Sequence, residues 1–185
     1  MKKKTVGLAL SVMLAGSAVL AGCSTGGGDS DSGSTDGKKN LRLTDTSDIT
    51  TVDPAKATDS VAFNMIGNTM EGLYRLDKDG KAIPALAEKT DISSDNLTYT
   101  FTLRDSKWSD GSPVKAQDFE FAWKRAADPK TASSYSYIFD TLKNGSDVTQ
   151  GKKAVDELGV KALNDKTLEV KLERPAPYFL SLTSF

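Results

Sequence analysis

The seven residues 97–103, Leu-Thr-Tyr-Thr-Phe-Thr-Leu, constrain this chain more than any other stretch. Leu97, Tyr99, Phe101 and Leu103 alternate without a break with Thr98, Thr100 and Thr102, the period of two that sends successive side chains to opposite faces of a strand. A strand so patterned needs a core beneath its apolar face and partners along its edges. Ser93-Ser94-Asp95-Asn96 supplies the turn before it. Upstream, Asp79-Gly80 lies between two short apolar stretches and reads as a hairpin turn, its glycine taking the positive φ. Downstream, residues 159–172 read as two strands around Asn164-Asp165, the second alternating Leu168, Val170 and Leu172.

Helical spacing appears twice. Residues 58–74 offer Thr58, Asp59 or Ser60 as an N-cap and place Val61, Met65, Ile66, Met70 and Leu73 on one side, with Gly67 weakening the pattern. In 115–128, Phe119, Ala122, Trp123 and Ala126 fall at i, i+3, i+4 and i+7, a stripe expected to bury one face. Leu41 and Leu43 suggest a short strand running into a loop that closes at Asp53-Pro54, and Pro175 and Pro177 end the last strand before a further element opens at Tyr178. Helices and strands interspersed in this way give a mixed α/β class.

The first 22 residues have a different character. Lys2, Lys3 and Lys4 precede an uncharged, leucine-rich run from Thr5 to Gly22, the charged and apolar regions of an export signal. Leu20-Ala21-Gly22-Cys23 resembles a bacterial lipobox, which implies cleavage before Cys23 and acylation of its sulfur. Two or more acyl chains make a stable tether, each buried methylene contributing about 0.8 kcal/mol. Residues 24–37 hold no apolar side chain beyond threonine methyls and read as a flexible leash. Asp29, Asp31 and Asp36 in the leash hint at a calcium loop, but the glycine and closing glutamate of an EF-hand are misplaced. The chain carries 24 basic and 25 acidic side chains; losing Lys2, Lys3 and Lys4 with the leader leaves 21 against 25, a net charge of −4 that does not call for nucleic acid.

Catalytic patterns are sparse. Without histidine there is no Ser-His-Asp or Cys-His unit. Ser112-Pro113-Val114-Lys115 matches the S-x-x-K of β-lactamases without the partner motifs of that class, and a surface turn leading into a helix explains it better. Asp105 with Asp110, or Asp48 with Asp53, are carboxylate pairs that read as solvated or capping acids. Trp108, Trp123, Tyr99, Phe101 and Phe119 are expected in the core. No stripe explains Tyr135 and Tyr137, which either face a ligand or anchor their loop.

Residues 97–133 nevertheless carry a dense pattern: Leu103-Arg104, Lys107-Trp108-Ser109-Asp110-Gly111, Pro113-Val114, Ala116, Asp118-Phe119 and Trp123-Lys124-Arg125. This run resembles the extracytoplasmic solute-binding proteins of the peptide and nickel ABC-transporter family, and residues 151–182 are similar to its oligopeptide-binding branch. The resemblance implies a periplasmic-binding-protein-like fold of type II, peptide-binding cluster, in which two lobes close on a ligand. It implies an amino-terminal part with an incomplete first lobe: leader 1–22, lipidated Cys23 and linker to 39, a lobe strand and loop at 40–60, an inserted subdomain at 61–174 and a return to the lobe at 175–185. It also implies oligopeptides and membrane ABC permease subunits as partners, a lipid-anchored extracytoplasmic location, and neither catalysis nor a cofactor. By position it nominates Asp48, Ile49, Thr50, Thr51 and Tyr135 as ligand contacts. One departure is Lys115, where the family usually has Thr or Ser, so a hydroxyl cap worth about 1 kcal/mol is expected to be lost. A peptide-signal receptor of the same family and a serine hydrolase built on Ser112 and Lys115 are the rival readings.

Overall fold

A computed structural model describes residues 42 and 44–184. The leader, Cys23, the linker to residue 39 and the alternating Leu41 and Leu43 lie outside the described residues. The strand at 97–103 forms as its pattern requires: β4 (Thr98–Leu103) buries Tyr99, Phe101 and Leu103 and leaves its threonines half-buried. It sits inside a four-stranded antiparallel sheet of order β3-β4-β6-β5, with β3 at Ala87–Ile92, β5 at Val160–Asn164 and β6 at Thr167–Lys171. Register places Phe101 opposite Leu168 and Tyr99 opposite Val170, and Val170 in turn faces Val160. One apolar face therefore runs across three strands, and burying each such side chain contributes about 1.5–3 kcal/mol.

Two groups of elements cover that face. Helix α2 (Ala116–Ala127) packs on β5 and β6. Phe179 of the short helix α4 (Phe179–Leu182) meets Tyr99 edge-on at 4.8 Å, and Tyr74 meets Phe101 edge-on at 6.3 Å. Tyr74 begins β1 (Tyr74–Leu76), which pairs with β2 (Ala82–Pro84) across the expected turn, where Gly80 has φ 75°. The Tyr74 hydroxyl lies 2.9 Å from that of Thr90 in β3, satisfying a polar tip at the margin of the core.

Several expectations need correction. Strand β3 has no counterpart among the expected elements, because Glu88, Lys89 and Asp91 interrupt its alternation; they are exposed on an edge strand, where charge discourages pairing with another chain. The buried stripe of α2 is rotated: Ala116 and Ala127 are fully buried, Phe119, Trp123 and Ala126 pack at the margin of the core, and Ala122 is exposed. Trp108 is half-exposed. It rides a small hairpin closed by the Lys107–Pro113 bridge, and its indole N–H donates to Asp118 Oδ2 at 3.1 Å.

The start of α2 has its own substitute for the missing hydroxyl. The Ala116 amide donates to the backbone carbonyl of Asp165 at 2.9 Å, so the turn between β5 and β6 satisfies one of the orphan groups of the first turn. Lys115 Nζ pairs with the Asp165 carboxylate at 2.8 Å, and its own amide donates to Asp118 Oδ2 at 2.9 Å. Further along, α3 (Gly145–Thr149) approaches the preceding 3-10 turn (Ser136–Thr141) so closely that a Cβ on Gly145 would lie 1.8 Å from the Phe139 carbonyl oxygen. Only glycine fits there.

Candidate functional site

The nominated loop residues Asp48, Ile49 and Thr50 are exposed, and Thr51 is half-buried. The turn at 53–57, next along the chain, is tightly ordered. The Asp53 amide donates to Thr51 Oγ1 at 3.1 Å, and the Ala55 amide to Asp53 Oδ1 at 3.1 Å. The Lys56 and Ala57 amides both donate to the Asp53 carbonyl at 3.0 Å. Pro54 lacks an N–H and fixes φ, which suits it to this turn. Ala55 and Ala57 are buried, so the turn is seated on the body of the molecule.

Two carboxylates fasten the loop at either end of this turn. Asp59 is the N-cap of α1 (Ser60–Thr69): its Oδ1 accepts the Ala62 amide at 2.8 Å and its Oδ2 accepts the Thr50 hydroxyl. The Thr50 hydroxyl and then the Ala62 amide hold this carboxyl below the usual range. Asp53 is gripped from outside its own segment. Arg125, in the last turn of α2, donates through Nη1 to Oδ1 at 2.8 Å and through Nη2 to Oδ2 at 2.5 Å. Such a fork fixes direction as well as distance. The Arg125 guanidinium, opposed by desolvation and reinforced by the Ala55 amide, brings the Asp53 carboxyl to about 2.

Tyr135 reaches the same helix one turn further along. Its ring meets Phe63 edge-on at 5.9 Å and lies 6.0 Å from Tyr137. Asp59 and Phe63 are i and i+4, stacked one turn apart on one face of α1. The structure thus brings Thr50 and Tyr135 onto successive positions of one helical face, with Asp48 and Ile49 leading away from it into solvent. Phe63 also lines a groove of about 620 Å³ with Met70, Tyr74 and Leu76. Asp59, Phe63, Asp53 and Arg125 are not among the site residues that the sequence nominates. Arg125 lies 72 residues from Asp53, and only its place in the Trp123-Lys124-Arg125 run is visible in the sequence.

Other candidate groups resolve into local bonds. Ser112 Oγ donates to Asp110 Oδ1 at 2.6 Å, while the Lys115 ammonium belongs to Asp165, which raises its pKa and keeps it protonated. The two members of the S-x-x-K pattern therefore have different partners, and the lysine is not poised as a base. Asp105 pairs with Lys166 at 2.8 Å. A charged hollow of about 370 Å³ over β5 includes groups that bind each other, with Lys124 held by Glu120 at 2.8 Å and Asp156 at 3.0 Å.

Comparison with known proteins identifies the family. The middle-region model of the bacterial extracellular solute-binding proteins, family 5, matches residues 81–185. The chain belongs to that family. The oligopeptide-binding protein OppA of Bacillus subtilis is 43% identical over 180 residues, covering 95% of this chain and 33% of the relative. The structure of Listeria monocytogenes OppA bound to peptide superposes with a TM-score of 0.77 at 49% identity, covering 81% of this chain and 30% of that one. The pheromone receptor PrgZ superposes with a TM-score of 0.72 at 43% identity, over 74% of this chain and 27% of its own. The chain thus has part of the mixed α/β fold of the family 5 binding proteins and spans about a third of the length of the curated relatives it matches.

Proposed function

We propose that this chain is part of the substrate-binding component of an ABC importer that captures oligopeptides outside the cell and delivers them to a membrane permease. The observation that carries this reading is the likeness to a peptide-bound OppA at 49% identity. Asp48, Ile49, Thr50, Thr51 and Tyr135 form one wall of the ligand cleft, and a second lobe supplies the other. Residues 40–60 and 175–185 belong to the first lobe and 61–174 to the inserted subdomain. Peptide is held as an added strand, through main-chain hydrogen bonds that tolerate varied side chains. The protein binds and releases its ligand without chemistry.

Cys23 is the lipid anchor, after removal of residues 1–22, and 24–39 is the leash that lets the receptor reach its permease. Titration calorimetry of the whole protein carrying this sequence, with oligoalanines of increasing length, tests the ligand; heat of binding is expected, and silence at every length refutes the reading. Labelled fatty acid incorporated by the wild type and not by Cys23→Ala tests the anchor. The likeness to the pheromone receptor supports a second reading, capture of signalling peptides. Growth on peptides as the amino-acid source, lost on deletion of the gene, favours nutrition; unimpaired growth favours signalling.

A further inference from the structure

Among the described residues, the buried apolar side chains next to the candidate wall are small, Ala55 and Ala57 of the adjoining turn. Around Asp48–Thr51, Ile49 and Val52 face solvent, and on the neighbouring helix Met65 and Met70 do as well. Its conformation depends on the turn Asp53–Ala57, and that turn is joined to the sheet-bound α2 by a two-pronged bond from Arg125. Both oxygens of Asp53 are engaged, Oδ1 by Arg125 and the Ala55 amide, and Oδ2 by Arg125. Loss of the guanidinium would leave the carboxylate with a single local amide and the turn with its own backbone bonds and the burial of Ala55 and Ala57, without a tie to α2. Arg125 is well placed for this task because Ala126 and Ala127, which follow it on α2, pack at the margin of the core and within it. Lysine could not reproduce the fork, having one nitrogen where two are needed.

We infer that Arg125 is a positioning residue for ligand capture: through its forked bond to Asp53 it holds the loop 48–53 in the binding arrangement before the ligand arrives. This rests on the reading of that loop as the cleft wall. A wall already in place loses less conformational freedom on binding, and the gain appears as affinity without any contact between Arg125 and the ligand. Lys152→Ser serves as a surface control because Lys152 is exposed in the turn after α3 and lines neither the loop nor the groove along α1.

The test uses the whole protein carrying this sequence, with amide hydrogen exchange and oligoalanine calorimetry on the same samples. In Arg125→Ala the amides of Asp53, Ala55, Lys56 and Ala57 are expected to exchange faster while those of β4 and β6 stay protected. The dissociation constant should rise by about tenfold or more. Arg125→Lys should fall between the two, and Lys152→Ser should match the wild type. Unchanged exchange at those four amides, or a dissociation constant within about twofold of the wild type, overturns the proposal. So does loss of affinity that accompanies loosening of β4 and β6, which marks a merely structural role. Should Arg125→Ala fail to fold, Asp53→Asn keeps the side-chain shape, and the same amides decide. A wild type that ignores oligoalanine refutes the peptide reading, and the exchange arm then decides for or against the clamp independently.

Discussion

Phe101, Leu168 and Val170 in the sheet are wholly shielded from water, whereas Ile49, Val52, Met65 and Met70 along the loop and α1 keep 42, 55, 39 and 46% of their exposure. Both regions belong to the unit Thr44–Phe185, yet they are held by different forces. The sheet is fixed by apolar burial that is spread over many side chains and involves no carboxylate. The loop and the start of α1 bury only Ala55, Ala57, Val61 and Ala62 and rely besides on a few directed bonds to Asp53 and Asp59. Apolar packing makes a rigid frame, and discrete polar fasteners leave the adjoining surface open for a ligand or for further protein.

The largest effect that would break this contrast lies in the sheet. Phe101→Ala should lower stability by about 3–5 kcal/mol in urea unfolding monitored by tryptophan fluorescence, since the ring is central to the core and leaves a cavity. A loss below about 1 kcal/mol would mean that the sheet is not the frame. Next comes Gly145→Ala, expected to cost about 3 kcal/mol because the added methyl meets backbone rather than a movable side chain. Near-wild-type melting in that variant would show the 3-10 turn to be free to yield.

Acid separates the two regions by a different route. Asp53 titrates near 2 in the fold, below its ordinary 3.8, so its contribution to stability is complete above about pH 4 and fades as pH falls toward 2. Asp53→Asn should be less stable than the wild type at neutral pH, with the gap closing between pH 4 and 2. A gap that persists to pH 2 would assign the effect to packing. The smallest effect belongs to the exposed methionines: Met65→Ser and Met70→Ser should change the stability of the 185-residue chain by no more than about 0.5 kcal/mol. A larger loss would show that α1 is covered.

Much of the frame is legible in the residues themselves. Period-two alternation predicts β4 and β6, and the Asp79-Gly80 and Asn164-Asp165 pairs predict their turns, because strand pattern and turn chemistry are local. Strand β3 escapes such a reading since an edge strand has no strict need for an apolar face, and Trp108 escapes it because a hairpin carries the indole out of the core. Asp59 is one of three candidate N-caps in the sequence; what singles it out is its bond to Ala62.

The sequence alone determined the class, the dominant strand and the family resemblance, all of which depend on residues close together in the chain. The tertiary structure decided which groups hold the loop 48–53: Asp53 and Arg125 stand 72 residues apart, and Thr50 and Tyr135 converge on α1 from distant parts of the chain. Pattern fixes which way a side chain faces within its own element, whereas the partner it meets depends on how separate elements pack, and that geometry is set by the whole core at once.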